Sequence, residues 1–156
     1  MSVVAAIRPD DWNIALFVHL FGAMVLVGAV LTALIALLTA WRSGSEEMTR
    51  LGFRALLWAV IPSYLVMRIG AEWIADKEGL NKEGVDVAWV NIGYSVADPG
   101  LLLLIISTVL AGIGARRAAR PGGGSAVTLD RVAAVLLSIS LLGFLVAIWA
   151  MTTKPV

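Results

Sequence analysis

The sequence predicts an all-α, polytopic membrane protein, a four-transmembrane-helix bundle that forms a single domain over residues 1–156. Hydrophobic residues make up 60% of the chain and its mean hydropathy is +0.90, whereas a soluble domain is nearer half apolar. Apolar runs of about 20 residues recur, and each is long enough to cross a hydrocarbon core of roughly 30 Å. Within a bilayer only helices and closed barrels satisfy the backbone. These runs are too long and too continuous for barrel strands, so we expect helices.

The first half of the chain predicts two spans. The first covers about residues 12–41, which is long for one crossing and indicates that the helix tilts or projects from the bilayer. A polar turn follows, in which Ser43 and Glu46 have the spacing of a capping box. The second span, at about 50–76, contains Pro62, which removes one backbone hydrogen bond and predicts a kink.

The second half predicts two more spans after a polar outer loop at 77–98. Asp98 followed by proline is a strong helix-start signal, with the aspartate as N-cap and the proline as first helical residue. It places the third span at about 99–115. The alternative is a helix that begins near Val87. A flexible, glycine-rich loop then leads to the fourth span, at about 129–151.

The basic residues predict an orientation. Lysine and arginine concentrate in the short cytoplasmic loops of membrane proteins. Two predicted connections, at about 42–54 and 116–131, are rich in arginine, and the opposite side holds most of the acidic residues. We therefore expect a multi-pass protein of the cell membrane with its N- and C-termini outside and its arginine-rich loops in the cytoplasm.

A row of polar side chains near the outer end of the second span predicts the most prominent site. Tyr64, Arg68 and Glu72 follow at intervals of four, so they share one helix face, and Arg68 and Glu72 are spaced for an ion pair. The rise of about 21 Å from Arg54 to Arg68 places this face in the outer third of the span, where arginine can snorkel. Two interpretations stay open. One is a structural ion pair at the helix end; the other is the wall of an outward-facing pocket, with Asp98 nearby.

His19 is the only histidine in the chain, and it lies in the outer half of the first span. Histidine can ligate haem or copper or accept a proton, and it can equally hydrogen-bond a neighbouring helix, for example at Glu72. One histidine excludes bis-histidine haem ligation within a protomer. A His–Met pair stays open, because three methionines fall in the predicted spans: Met24, Met67 and Met151. Haem and copper are therefore the cofactors that the sequence permits.

The composition limits the remaining chemistry. The chain has no cysteine, which removes disulfides, thiolate metal sites and thiol redox chemistry. It has no Ser–His–acid set, no glycine-rich phosphate loop and no pair of catalytic histidines, so an enzyme is the less favoured class. The net charge of +1 gives no reason to expect a nucleic acid partner. The expected partners are the lipid bilayer and either a second copy of the chain or another membrane subunit.

Two short patterns carry a family resemblance. A His-x-x-Gly-Ala pattern begins at His19 in the first span, and Pro62 in the second is followed by an Arg-Ile-Gly pattern that begins at Arg68. In these features the chain resembles bacterial four-helix membrane proteins of unknown function, and it is loosely similar to the copper-resistance D-type membrane domain. The resemblance implies the four-span fold. Its copper association would fall on His19, since the chain has no cysteine and no methionine-rich motif.

Three hypotheses for the function follow from these residues. The first is a small outward-open protein that binds or transports a small molecule or ion, with a site formed by His19, Arg68 and Glu72 and with Tyr64 and Asp98 nearby. The second is a haem- or metal-binding redox protein that uses His19. The third is a non-catalytic accessory subunit of a membrane complex that packs through small residues. Those residues are Gly112, Gly114, Ser140 and Gly143.

Overall fold

The computed structural model describes residues 12–80, 87–120 and 126–153. Within these ranges five α-helices follow one another: α1 (Asn13–Ser43), α2 (Glu46–Ala55), α3 (Ile61–Glu78), α4 (Ala88–Ala118) and α5 (Val127–Thr153). A π-helical turn at Leu56–Val60 joins α2 to α3, so that the two form one long helix. The expectation of an all-α architecture is confirmed.

Four helices are long and apolar enough to cross a membrane: Asn13–Ser43, Glu46–Glu78, Ala88–Ala118 and Val127–Thr153. The shortest of them has 27 residues and therefore extends about 40 Å, which exceeds a hydrocarbon core of roughly 30 Å. Large apolar side chains cover the outside of the bundle. Phe17, Trp58 and Leu142, for example, are 66%, 76% and 64% exposed. A surface of this kind is suited to lipid and not to water.

The bundle is tighter at one end than at the other. α1 packs along α3 and α5, and α4 packs along α5. α2 contacts both α1 and α4, whereas α3 and α4 meet over only a short stretch. We call the end with the α1–α2 and α4–α5 connections the arginine-loop end. The opposite end, with the start of α1 and the end of α5, is the terminal end. The helices pack closely at the arginine-loop end, and α3 packs less closely on α4 towards the terminal end.

Pro62 is accommodated within the second long helix. Proline lacks the N–H that would bond the Trp58 carbonyl. The π-helical turn ends at Val60, two residues before the proline, and a wider turn of this kind gives the proline ring room while most backbone bonds are kept. The Ser63 hydroxyl also donates to the Ala59 carbonyl at 2.7 Å. The irregularity predicted at this proline therefore takes the form of a π-bulge.

The predicted start of the third helix at Pro99 is wrong. α4 begins at Ala88 after Val87, so Pro99 lies inside the helix and Asp98 is not an N-cap. The alternative start near Val87 is the observed one. An Asp-Pro pair starts a helix when nothing else holds the preceding turn. Here an ion pair and a hydrogen bond from α3, described below, stabilise the turn that the proline weakens.

The first connection also differs in detail from the prediction. Ser43 is still part of α1, and Ser45 instead caps α2, its hydroxyl accepting from the Met48 N–H at 3.4 Å. Gly44, between them, has a φ of 68°. This left-handed conformation favours glycine and ends α1.

The predicted polar loop at 77–98 is shorter than expected. Lys77 and Glu78 complete α3, and Gly79 ends it with a φ of 69°. α4 already begins at Ala88, so the connection runs over 79–87. Part of it, residues 81–86, lies outside the described ranges.

Candidate functional site

A cavity of about 350 Å³ opens near the terminal end of the bundle. Its walls come from α1, α3, α4 and α5, and most of the side chains that line it are apolar. Among the described residues, the titratable side chains in its wall are His19, Arg68, Glu78 and Tyr94. The volume lies at the lower end of the range for small-molecule pockets, roughly 300–1,000 Å³.

Arg68 is the centre of a polar cluster that joins α3 to α4 beside this cavity. Its Nη2 atom lies 3.1 Å from Glu72 Oε1 and 3.4 Å from Asp98 Oδ1. Its guanidinium carbon lies 4.6 Å from the centroid of the Tyr94 ring, at cation–π distance. The Tyr94 hydroxyl in turn donates to Glu72 Oε2 at 3.1 Å.

Tyr64 adds a further hydrogen bond between the same two helices. The side chain is 1% exposed, and its hydroxyl donates to the Ala97 carbonyl at 2.9 Å. This carbonyl lies in the helical turn that contains Pro99, where the proline has removed a backbone donor. We call Tyr64 and the four residues of the Arg68 cluster the α3–α4 clamp.

The charges of the clamp favour a structural role for Arg68. One guanidinium faces two carboxylates, from Glu72 and Asp98. An anionic ligand would therefore meet one positive charge beside two negative ones. Arg68 is half-buried, whereas the Asp98 side chain is 69% exposed. Of the five predicted site residues, only His19 and Arg68 line the cavity; Tyr64, Glu72 and Asp98 lie beside it.

Sequence reasoning missed Tyr94, although a signal for it existed. Tyr94 precedes Asp98 by four residues, so the two share one face of α4. This repeats the spacing of Tyr64, Arg68 and Glu72 on α3. The signal was lost because the helix was expected to begin at Pro99, which assigned Tyr94 to a loop.

His19 hydrogen-bonds the backbone of α3, whereas the sequence suggested Glu72 as its partner. Its Nδ1 atom lies 3.1 Å from the Met67 carbonyl oxygen. A carbonyl oxygen can only accept, so Nδ1 carries the hydrogen, and the other ring nitrogen of a neutral imidazole, Nε2, is then an acceptor. His19 also lines the cavity. The fold therefore orients the imidazole in the way that a backbone carbonyl orients a ligating histidine.

Two glycines create the close helix contact that makes this bond. A Cβ atom at Gly22 would lie 2.5 Å from the Met67 nitrogen, and one at Gly70 would lie 2.5 Å from the His19 nitrogen. Gly22 of α1 thus contacts Met67 of α3, and Gly70 of α3 contacts His19 of α1. In each helix the glycine follows the contacted residue by three positions. Small residues at such positions let two membrane helices approach backbone to backbone.

The metal hypothesis has a limited donor set. Among the described residues there is no group of three or more His, Cys, Asp or Glu side chains that could hold a metal ion. The fold does bring Met67 and Met151 into the wall of the cavity that His19 lines. Met24, by contrast, is 76% exposed on the outside of the bundle.

A second buried acid, unrelated to the cavity, was also missed. Asp130, in the first turn of α5, is 1% exposed and accepts a hydrogen bond from the Thr49 hydroxyl at 2.7 Å. In sequence it reads as an ordinary acidic residue at a helix start, where the dipole favours it. Its neighbours include Thr49 of α2 and Gly114 of α4, and the sequence does not reveal these contacts.

Fold and site together define a helical bundle with four candidate membrane spans, an apolar cavity near one end and a charged clamp beside that cavity. The sequence matches no protein-family model, no curated protein and no solved structure. The geometry of the chain itself is therefore the basis for inferring its function.

Proposed function

We propose that the protein is an integral membrane protein that binds a small, largely apolar molecule in the cavity near its terminal end. The apolar outer surface and the four long helices support the membrane setting. The arginines of the two short connections support an orientation with those connections in the cytoplasm and both termini outside. In this orientation the cavity lies in the outer half of the bilayer.

The observation that carries the proposal is the composition of the cavity wall. It is apolar on four helices and holds the His19 imidazole, whose Nδ1 is bonded to the Met67 carbonyl. Specific small-molecule sites combine a mostly apolar lining with a few oriented polar groups. Binding is favoured over transport because α2 contacts α1 and α4 and so closes the bundle below the cavity.

The polar groups of the wall indicate what the ligand carries. Arg68 is paired with two carboxylates, so it has little attraction left for an acid. The acceptor nitrogen of His19 requires a hydrogen-bond donor. The ligand that fits is a lipid-phase molecule with an apolar body and one hydroxyl or similar donor.

A matched pair of valines on α1 tests occupancy of the cavity. Val27 lines the cavity, whereas Val25 is 41% exposed on the outside. Wild-type protein, Val27→Phe and Val25→Phe are purified in lipid nanodiscs, and the molecules bound to each are extracted and quantified by mass spectrometry. We expect an apolar molecule enriched over the bulk lipid in wild type and Val25→Phe, and lost in Val27→Phe. Equal extracts from all three proteins would rule out a specific ligand.

Separate variants distinguish the ligand contact from the clamp. His19→Ala should reduce the bound molecule several-fold, since it removes the acceptor. Arg68→Ala should lower the Tm, while the protein that remains folded keeps its bound molecule. The reverse pattern, with ligand lost on changing Arg68 but kept on changing His19, would assign recognition to the clamp instead.

A redox protein that uses His19 is the second candidate. It is favoured by one observation, the presence of Met151 and His19 in the wall of the same cavity, since histidine and methionine together form a known axial pair for haem. An absorption spectrum and elemental analysis of the purified protein test it. A Soret band that His19→Ala abolishes would support it, and a protein without haem, iron or copper would eliminate it.

The accessory-subunit hypothesis loses its original support. The small residues that suggested a free packing face are used within the chain. Gly112 packs on Phe53, and Gly143 packs on Val96. A partner or a second copy of the chain would have to bind elsewhere, and co-purification of a stoichiometric subunit remains its test.

A further inference from the structure

Asp130 forms a buried polar site at the arginine-loop end, the end of the bundle opposite the cavity. The side chain is 1% exposed, and its neighbour Thr49 is 2% exposed. Thr49 Oγ1 lies 2.7 Å from Asp130 Oδ2 and 3.3 Å from the Ser45 carbonyl oxygen. Within the part of the chain that the structure describes, Asp130 Oδ1 has no hydrogen-bond partner.

An ionised Asp130 would be poorly satisfied in this position. A carboxylate is an acceptor at both oxygens, and here one hydroxyl serves one oxygen while the other is left alone. The start of α5 favours an anion through its dipole, but this effect is much smaller than the cost of an uncompensated buried charge. Buried groups in this position usually become neutral.

The charged groups on the surrounding helices do not compensate Asp130. They are Arg42 on α1, Glu46, Glu47, Arg50 and Arg54 on α2, Arg116 and Arg117 on α4, and Arg131 on α5. Arg50 pairs with Glu46 at 3.5 Å, and Arg131 lies over the Trp41 ring at 5.2 Å from its centroid. Within the described ranges Asp130 makes no ion pair with any of them.

The neutral acid fits the same atoms better. With a proton on Oδ2, Asp130 donates to Thr49 Oγ1, and the Thr49 hydroxyl is then free to donate to the Ser45 carbonyl. Both hydrogens have an acceptor in this arrangement. Oδ1 becomes a carbonyl-type oxygen, which is far less costly to leave unpaired than a charged one.

The space beside Oδ1 limits what else the site can take. A Cβ atom added to Gly114 would lie 3.5 Å from Oδ1 and 3.4 Å from both Thr49 Cγ2 and the Ala126 Cβ. A methyl group bonded to the Gly114 backbone fits there. Carbon atoms of Thr49 and Ala126 thus face the same space as Oδ1, and they offer no hydrogen bond to a second ligand.

From this geometry we infer that Asp130 is a proton-binding site, a carboxylic acid that is protonated in the folded protein and linked through Thr49 to the Ser45 carbonyl. Ser45 is the N-cap of α2, so the chain of hydrogen bonds leads from the helix packing to the connection between α1 and α2. The ligand of this site is a proton; among the described residues Asp130 belongs to no group of three or more acidic or histidine side chains that could hold a metal ion.

Infrared spectroscopy of the full chain tests this assignment. Protein with the carboxyl carbon of its aspartates labelled with ¹³C is reconstituted in lipid at neutral pH. We expect a protonated carboxyl band that shifts with the label and with deuterium exchange, because Asp130 is buried whereas the other described aspartates, Asp76 and Asp98, are exposed. The absence of any protonated aspartate band from the labelled wild type would overturn the inference without the need for a variant.

Variants assign the band to a residue. Asp130→Asn, which replaces the neutral acid by a group of similar shape, should remove the band and retain the wild-type Tm. Glu47→Gln, an exposed acid at the same end, should leave the band unchanged. A band that survives in folded Asp130→Asn, or a wild-type Tm that depends on sodium in place of choline, would contradict a proton site at Asp130.

Discussion

Alanine at Gly22 or Gly70 is the sharpest perturbation of this fold. Both glycines lie where the backbones of α1 and α3 touch, and an added Cβ would lie 2.5 Å from a backbone nitrogen and 2.7 Å from a backbone Cα of the other helix. Backbone cannot rotate out of the way as a side chain can. The two helices would therefore have to separate by about 1 Å to restore ordinary van der Waals distances.

The energetic consequence follows from three opposing effects. Alanine improves helix propensity by up to about 1 kcal/mol over glycine. Overpacking costs roughly 1–3 kcal/mol, and separation by about 1 Å forfeits up to half of the dispersion energy of each contact along the interface. Separation would also stretch the His19–Met67 hydrogen bond beyond its 3.1 Å, a loss of about 0.6 kcal/mol for a typical bond in a membrane. We expect a net destabilisation of about 2 kcal/mol per site.

Two other glycines serve as controls in the same assay. Gly28 has no atom within 4 Å of an added Cβ, and at Gly114 the nearest atoms are at 3.4 Å. Gly28→Ala and Gly114→Ala should be neutral or stabilising by up to about 1 kcal/mol. Thermal melting and detergent-induced unfolding, followed by circular dichroism, measure all four variants.

The contact between α1 and α3 would be refuted if the Gly22 and Gly70 variants were not less stable than the Gly28 and Gly114 variants. If Gly22→Ala and Gly70→Ala melt at the same temperature as Gly28→Ala, then α1 and α3 do not approach at these residues. His19 would in that case not be held at the Met67 carbonyl, and the orientation of its ring would need another cause.

Two further predictions concern the α3–α4 clamp. Arg68→Ala should destabilise the protein by about 2 kcal/mol, less than the roughly 3–5 kcal/mol for a fully buried pair, because the Glu72 and Asp98 side chains are 45% and 69% exposed. Arg50→Ala, which breaks an exposed pair, should cost under about 0.5 kcal/mol, and equal losses in thermal melts would argue against the clamp. Tyr64→Phe removes only the hydroxyl that bonds the backbone of α4, so it should cost about 1 kcal/mol with the ligand content of the cavity unchanged; a variant as stable as wild type would show that this bond contributes nothing.

The helices themselves could be predicted because their signals are local. A long apolar run is a property of the chain itself and needs no contact with other helices, whereas the cap of α2 is predicted at Ser43 and lies at Ser45. The predicted fourth span at 129–151 falls within α5, Val127–Thr153. Where local signals competed, at the Asp98–Pro99 pair, the wrong one was chosen, because the contacts that settle the matter come from α3.

The candidate site could be predicted only in outline. The shared face of Tyr64, Arg68 and Glu72 was visible from the helical period. Which of these residues would face the cavity depended on the angle and position of α4, and no residue spacing within α3 contains that information. Asp130 shows the same limit, since its burial requires Thr49 and Gly114 from two other helices.

The sequence by itself determined the apolar composition, the number of long helices and the positions of the polar residues along them. These depend on composition and on the rise of about 1.5 Å per residue. Only the tertiary structure decided what each polar group bonds: Arg68 to two acids, His19 to a backbone carbonyl, and Asp130 to one hydroxyl. The physical reason is that a hydrogen bond depends on distances of a few tenths of an ångström, and helix packing sets those distances.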